Sequence, residues 1–256
     1  MTTFTANLAA DIRENLRKIC TLEELRRIEV IHLDAWVNQF LRESGFSAQI
    51  GYDDVINPLW ERAVLLANID LPYETTFYEE EWNRIVIAQE ALTLEKYVKV
   101  TRNGRGTRLD RKKRMQVWKV FENYQNLMKE NQIRDINTAM YECTKLLQSA
   151  GRKPRYASII IDEGQDFSDN AYRLIRALAG EEHPNDIFIV GDSHQRIYRN
   201  HPTLSKCGIN VRGRSSILKI NYRTTEEIRK HAFALLNGIS FDDLDEDLDL
   251  GDKCQS

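Results

Sequence analysis

The hydrophobic pattern of this chain changes period twice along its length. Ile159-Ile160-Ile161 and Ile187-Phe188-Ile189-Val190 are short, unbroken apolar runs rich in β-branched residues. Such runs predict strands buried on both faces of a parallel sheet. The first ends at Asp162-Glu163, where Gly164 offers a place to turn, and the second at Gly191-Asp192. A third run from Ile217 closes on Asn221-Tyr222-Arg223. Upstream, residues 1–5 read as the end of a strand, and Leu8, Ile12, Leu16 and Ile19 mark the amphipathic helix that follows. Thr21 with Glu24 has capping-box spacing, residues 27–33 predict a strand, and Asp34 is placed to cap a helix over 35–44. From residue 45 to about 150 the period becomes helical, with stripes over 55–67, 80–89 and 115–128. Trp60, Trp82 and Trp118 fall on those stripes and are assigned to packing.

The polar residues at the strand ends suggest chemistry. Open α/β sheets bind ligands at the carboxyl ends of their strands, so Asp162 and Glu163 are placed to serve a metal and a water. An ordinary solvated acidic turn has the same residues, and both readings stand on this stretch alone. Gln195, three residues after Asp192, carries a neutral amide that could bond a phosphate oxygen or a positioned water. Three strands thus each deliver a polar cluster at one edge of a sheet.

In order and at plausible spacing, IIIDEGQDFS (159–168), VGDSHQRIY (190–198) and LKINYRTT (218–225) resemble motifs of the UvrD/Rep-like superfamily 1 DNA helicases. TTFTANLAADI (2–12) and Val30-Ile31-His32 resemble two motifs that lie upstream in that family. The resemblance implies an α/β fold: a RecA-like parallel sheet of the P-loop NTPase type with an all-helical subdomain inserted in it. The expected boundaries are 1–44 and 151–214 for the first RecA-like domain, 45–150 for the insert and 215–240 for the start of a second such domain. Residues 241–256 read as an acidic, disordered tail.

It also implies roles. Asp162 would hold Mg²⁺, Glu163 would activate the attacking water, and Gln195 would sense the γ-phosphate of ATP. Tyr222 would stack on the base, and Arg223 would reach the γ-phosphate. Gln165 and Asp166 would couple the site to DNA. Phe4, His32 and Tyr198 would touch a single strand, although the residues alone favour reading His32 as a strand-end histidine satisfied by backbone. Two departures stand out. No GxxxxGK[ST] sequence occurs in the chain, which leads us to expect that the phosphate loop lies upstream of Met1 and that this chain alone does not hydrolyse ATP. Asn200 occupies a place where many members have a tryptophan.

Charge adds one further element. The net charge of −3 exerts no global pull on nucleic acid, so any contact must be local. Residues 96–114 carry nine Lys or Arg against the single acid Asp110. That loop, with Arg105, Arg108, Lys112 and Lys113, favours a phosphate-backbone contact. A solvated face, or pairing with acids elsewhere in the chain, would explain the run as well. The four cysteines show no metal-ligand spacing, and no apolar run approaches the roughly 18 residues of a membrane span. The expected setting is the cytoplasm and the expected partner single-stranded DNA or a single-strand/duplex junction, with no membrane. Two other functions fit the residues. One is a non-hydrolysing nucleic-acid-binding module. The other is a metal-dependent nuclease using Asp162, Glu163 and Asp166.

Overall fold

The computed structural model describes the whole chain except residues 4, 103–104, 150–154, 193–202, 219–224, 236–240, 243–247 and 250–256. It divides into two compact units, Met1–Val30 with Pro154–Ser256, and Ile31–Lys153.

The first unit holds a parallel sheet of β1 (Thr2–Thr3), β5 (Ile159–Ile161) and β6 (Ile187–Ile189). Thr2 lies opposite Ile161, and Ile159 to Ile161 lie opposite Ile187 to Ile189. Helix α1 (Ala6–Ile19) follows β1; the Thr5 hydroxyl accepts from Leu8 N–H at 3.3 Å, and Arg17 and Lys18 sit in its last turn, where cations suit the helix dipole. Helix α2 (Leu22–Arg27) opens with the expected capping box between Thr21 and Glu24. The segment predicted as a strand over 27–33 is therefore helical at its start, and its strand shrinks to β2 (Ile31–His32).

Helix α9 (Asp169–Ala179) buries Ala171, Tyr172, Leu174, Ile175 and Leu178. Its Leu178 carbonyl accepts from Arg155 N–H at 3.1 Å, which ties it to the segment entering β5. Burial along β5 alternates instead of running on both faces: Ile159 and Ile161 are buried, while Ile160 is 41% exposed and its neighbour Phe188 61%. Among the described residues no element covers that face, so the two-faced burial predicted from composition is not found. Of the third apolar run, only Ile217 and Leu218 are described, outside any strand. Helix α10 (Glu226–Leu235) follows, and in the acidic end, expected to be a disordered tail, β7 (Phe241–Asp242) pairs antiparallel with β8 (Leu248–Asp249).

The second unit starts at Ile31, earlier than residue 45, because helix α3 (Leu33–Glu43) packs on α8 (Ile136–Ser149) within it. His32 occupies the N-cap position of α3, and Asp34 lies in its first turn rather than at the cap. Its centre is aromatic. Helices α4 (Asp53–Ala67), α5 (Thr75–Glu81), α6 (Leu94–Lys99) and α7 (Arg111–Glu130) bury Trp60, Tyr78, Tyr97, Trp118, Phe121 and Tyr124. The rings of Trp60 and Tyr124 stack at 3.6 Å between centroids, and Trp82 packs edge-on to Trp60, so the three tryptophans are core residues as expected. Helix α5 runs on into a π-helical turn, Trp82–Ile87. The unit is not wholly helical: β3 (Gln49–Gly51) and β4 (Ile133–Asp135) pair in parallel. No helix among the described residues is long and apolar enough to cross a membrane.

Candidate functional site

Strand β5 delivers Asp162 to the carboxyl edge of the sheet, where its N–H donates to the Thr2 carbonyl at 3.1 Å. The turn comes one residue earlier than glycine placement suggested. Glu163, not Gly164, takes the left-handed conformation, with φ 55° and ψ 44°. That conformation costs a residue with a Cβ about 1–2 kcal/mol, and such outliers cluster at functional sites.

Gly164 is needed for a different reason, closeness. Its N–H donates to the Val190 carbonyl at 2.8 Å, and its carbonyl accepts from the Tyr172 hydroxyl at 2.6 Å. A Cβ there would lie 2.6 Å from Ile189 Cγ2 and 2.9 Å from the Tyr172 hydroxyl. The ends of β5 and β6 are thereby drawn together over a glycine.

Gln165 completes the link. It is 2% exposed; its Nε2 donates to Glu163 Oε2 at 2.6 Å, and its Oε1 accepts from Asp192 N–H at 3.0 Å. One neutral amide thus orients the carboxylate at the end of one strand and grips the end of the next. Gly191 permits this approach, since a Cβ there would sit 2.7 Å from Gln165 Oε1.

Asp162 Oδ1 accepts from Glu163 N–H at 3.1 Å, and among the described residues its second oxygen has no partner. Mg²⁺ is held elsewhere through one or two carboxylates together with waters and substrate phosphates, so this donor set fits it. Among the described residues no group of three His, Cys, Asp or Glu is placed to hold a metal on protein ligands alone. Asp166 has a buried Oδ1 with no partner among the described residues, and its carboxyl is pushed up by burial and then by the Glu163 charge. The Thr2 and Thr3 hydroxyls, at the end of β1, are likewise buried without partners among the described residues. Sequence reading passed over Tyr172 and these hydroxyls, because a tyrosine in an amphipathic stripe and a threonine in a strand carry no local mark of a site. Phe4, Gln195, Tyr198, Asn200, Tyr222 and Arg223 lie outside the described residues.

His32 and the basic loop belong to the second unit, and each is described within it. His32 is half-buried. Asp34 nearby has its carboxyl pushed up by burial, against the opposing effects of His32 and of a hydrogen bond from Tyr52.

The loop is sorted by direction. Arg105 donates to Glu81 Oε2 at 2.9 Å, to Glu80 and to the Phe77 carbonyl, and its side chain is 5% exposed. The expectation that it contacts a phosphate is therefore corrected: its donors are taken up inside the unit. Arg102 binds the same buried Glu81 through two hydrogen bonds, of 2.5 and 2.8 Å. Arg114 caps the end of α6, donating to the carbonyls of Tyr97, Val98 and Val100. Arg108 and Lys112 face solvent, Arg111 does too, and Lys113 is half-buried.

A family model of the UvrD/REP helicase N-terminal domain matches residues 1–201. A protein of Mycoplasma pneumoniae described as "Probable DNA helicase II homolog" is 22% identical over 257 residues, which covers 93% of this chain and 35% of the relative. A second protein of that organism, described as "Probable DNA helicase", is 24% identical over 219 residues, covering 77% of this chain and 38% of the relative. The chain thus spans about a third of the length of the curated relatives it matches.

Proposed function

Since this chain belongs to the UvrD/REP helicase family, whose N-terminal domain has the RecA-like fold, we propose that it is the part of an ATP-dependent DNA helicase or translocase that carries the water-activating carboxylate. The observation behind the proposal is the carboxyl-edge arrangement of Asp162, Glu163 and Gln165, with one amide bridging two parallel strand ends. The protein would act in the cytoplasm on single-stranded DNA or a single-strand/duplex junction.

ATP with Mg²⁺ supplies the energy of movement, the metal offsetting phosphate charge. Asp162 offers the free oxygen that would hold the metal through water. Glu163, fixed by Gln165, would take the proton of the attacking water. The family resemblance assigns Gln195 and Arg223 to the γ-phosphate, Tyr222 to the base, Gln165 and Asp166 to coupling, and Phe4, His32 and Tyr198 to the strand. Because no GxxxxGK[ST] sequence occurs in this chain, the chain by itself should bind ATP weakly and turn over none.

The test uses a longer protein in which a phosphate-loop segment and a complete second RecA-like domain are joined to this chain. DNA-stimulated ATP hydrolysis is the expected result. Glu163→Gln should retain nucleotide and DNA binding yet lose about 10²–10⁴-fold in turnover. Asp162→Ala should weaken Mg²⁺-dependent nucleotide binding itself. Full turnover in Glu163→Gln would return the acidic pair to an ordinary turn. DNA binding without any hydrolysis would favour a non-hydrolysing module.

A further inference from the structure

We infer that Glu81 is a positioning residue for a nucleic-acid surface: by drawing Arg102 and Arg105 inward, it sets Arg108, Arg111 and Lys112 outward as a unit that binds a phosphodiester backbone. The inference rests on the proposed action on DNA and adds to it a specific surface and the residue that builds it.

Glu81 is fully buried at the end of α5 and carries the loop through both oxygens. Oε1 accepts from the Tyr97 hydroxyl at 2.9 Å and from Arg102 Nε; Oε2 accepts from Arg102 Nη2 and Arg105 Nε. Arg102 Nη1 then reaches the Thr107 carbonyl at 2.5 Å, so the carboxylate is connected to both limbs of the loop. Arg105 also lies over the Phe77 ring, its guanidinium carbon 5.1 Å from the centroid. A buried charge must be matched, and here one carboxylate with Glu80 matches two guanidinium groups. What remains of the basic run is not matched. Arg108, Arg111 and Lys112 are exposed, and none of them has an acidic partner among the described residues.

Their placement opposes local electrostatics. Helix α7 has no acid in its first turn and four cations, Arg111 to Arg114, at the end where the helix dipole favours anions. Arg114 is accounted for by the α6 carbonyls. Asp110, the single acid, is used as the N-cap, accepting from Lys113 N–H at 2.8 Å. Cations held against a dipole, beside a loop fixed from within, fit a surface completed by an external polyanion. A nucleic-acid strand is the polyanion whose chemistry the proposed function provides.

The experiment measures binding of this chain to a fluorescent 20-nucleotide poly(dT) across a NaCl series, with a duplex of the same length as a parallel arm. Replacing Arg108, Arg111 and Lys112 together by Ala should weaken binding and reduce the slope of log K against log salt by about 2, at roughly 0.7 per lost contact on a single strand. Lys96→Ala with Lys99→Ala, two exposed cations on α6, should leave the slope unchanged. Glu81→Gln is the decisive variant. Simple charge counting predicts tighter binding, because a negative charge is lost; the positioning role predicts weaker binding with a lower slope, although no cation is removed. If Glu81→Gln loses its helical circular dichroism, Glu80→Gln replaces it, since Glu80 is half-exposed and holds only Arg105; it should shift the slope the same way by less. A slope unchanged on both the single strand and the duplex in the triple variant, or tighter binding in the folded glutamine variant, overturns the inference and leaves the helicase reading intact. No binding of either nucleic acid by the unaltered chain at 50 mM NaCl overturns both. Slope loss confined to the duplex arm supports the surface and identifies it as a duplex contact.

Discussion

Gln165 holds Glu163 through a 2.6 Å hydrogen bond from its Nε2, although Glu163 stands in a left-handed backbone conformation that favours glycine. The same amide's oxygen accepts from Asp192 N–H, so a single side chain sets the spacing of two strand ends. Gln165→Leu removes both bonds and should cost about 1–3 kcal/mol in urea unfolding. Gln165→Glu keeps the acceptor for Asp192 but sets a second carboxylate against Glu163. Its stability should recover as pH is lowered through the carboxylate range, because one of the two then takes a proton. Equal stability of Gln165→Glu and the unaltered chain at pH 7 would mean that the amide donor has no positioning value.

Gly164→Ala is expected to destabilise the first unit by about 1–3 kcal/mol, the usual cost of forcing an atom into a filled space. The added carbon meets Ile189 and the Tyr172 hydroxyl rather than open solvent. Pairing the change with Tyr172→Phe should recover part of the loss. Denaturant midpoints for the single and double variants provide the measurement.

Arg176 and Asp186 form an ion pair at 2.6 Å within the first unit, with both side chains less than 15% exposed. Burial alone would raise the Asp186 carboxyl. The hydrogen bond from Arg176 and those from the N–H groups of His183 and Ile187 outweigh it and lower the carboxyl below 3.8. The pair's contribution is therefore full above the unfolded value near 3.8, and it is lost as pH falls through the lowered folded value. Asp186→Asn should cost about 1–3 kcal/mol at pH 7, because Arg176 loses its charged partner and keeps only the Gly180 and Glu181 carbonyls. The difference from the unaltered chain should close in strong acid, as followed by unfolding at pH 7 and below 3.

Glu79 behaves in the opposite sense. Burial pushes its carboxyl up from 4.5, and Asp53, Asp135 and Glu80 push it further. A carboxyl raised in the folded state disfavours folding at pH 7, and the penalty lifts as pH falls through the raised value toward 4.5. Glu79→Gln should therefore raise the thermal midpoint at pH 7. That gain should shrink toward pH 4.5. A midpoint difference independent of pH would show that the gain comes from packing and not from charge.

Much of this protein is written locally. The strand cores at 159–161 and 187–189, the Thr21–Glu24 box, the helical stripes with their three buried tryptophans and the acidic pair at a strand end all follow from short-range periodicity and capping. A strand or a helix is largely decided by neighbours within a few residues. Partner choice is not local. Glu81 and Arg105 are 24 positions apart, and nothing in a run of arginines tells which of them turn inward. Only the packing of α5 against the loop decides that, because a buried carboxylate claims the guanidinium groups within its reach and leaves the others to solvent. Gly164 shows the same division at a single residue. Its presence after Asp162-Glu163 is plain in the sequence, and a turn is the natural reading. That it serves close contact with β6 and Tyr172, while Glu163 makes the turn, depends on strands brought together from 23 or more residues away.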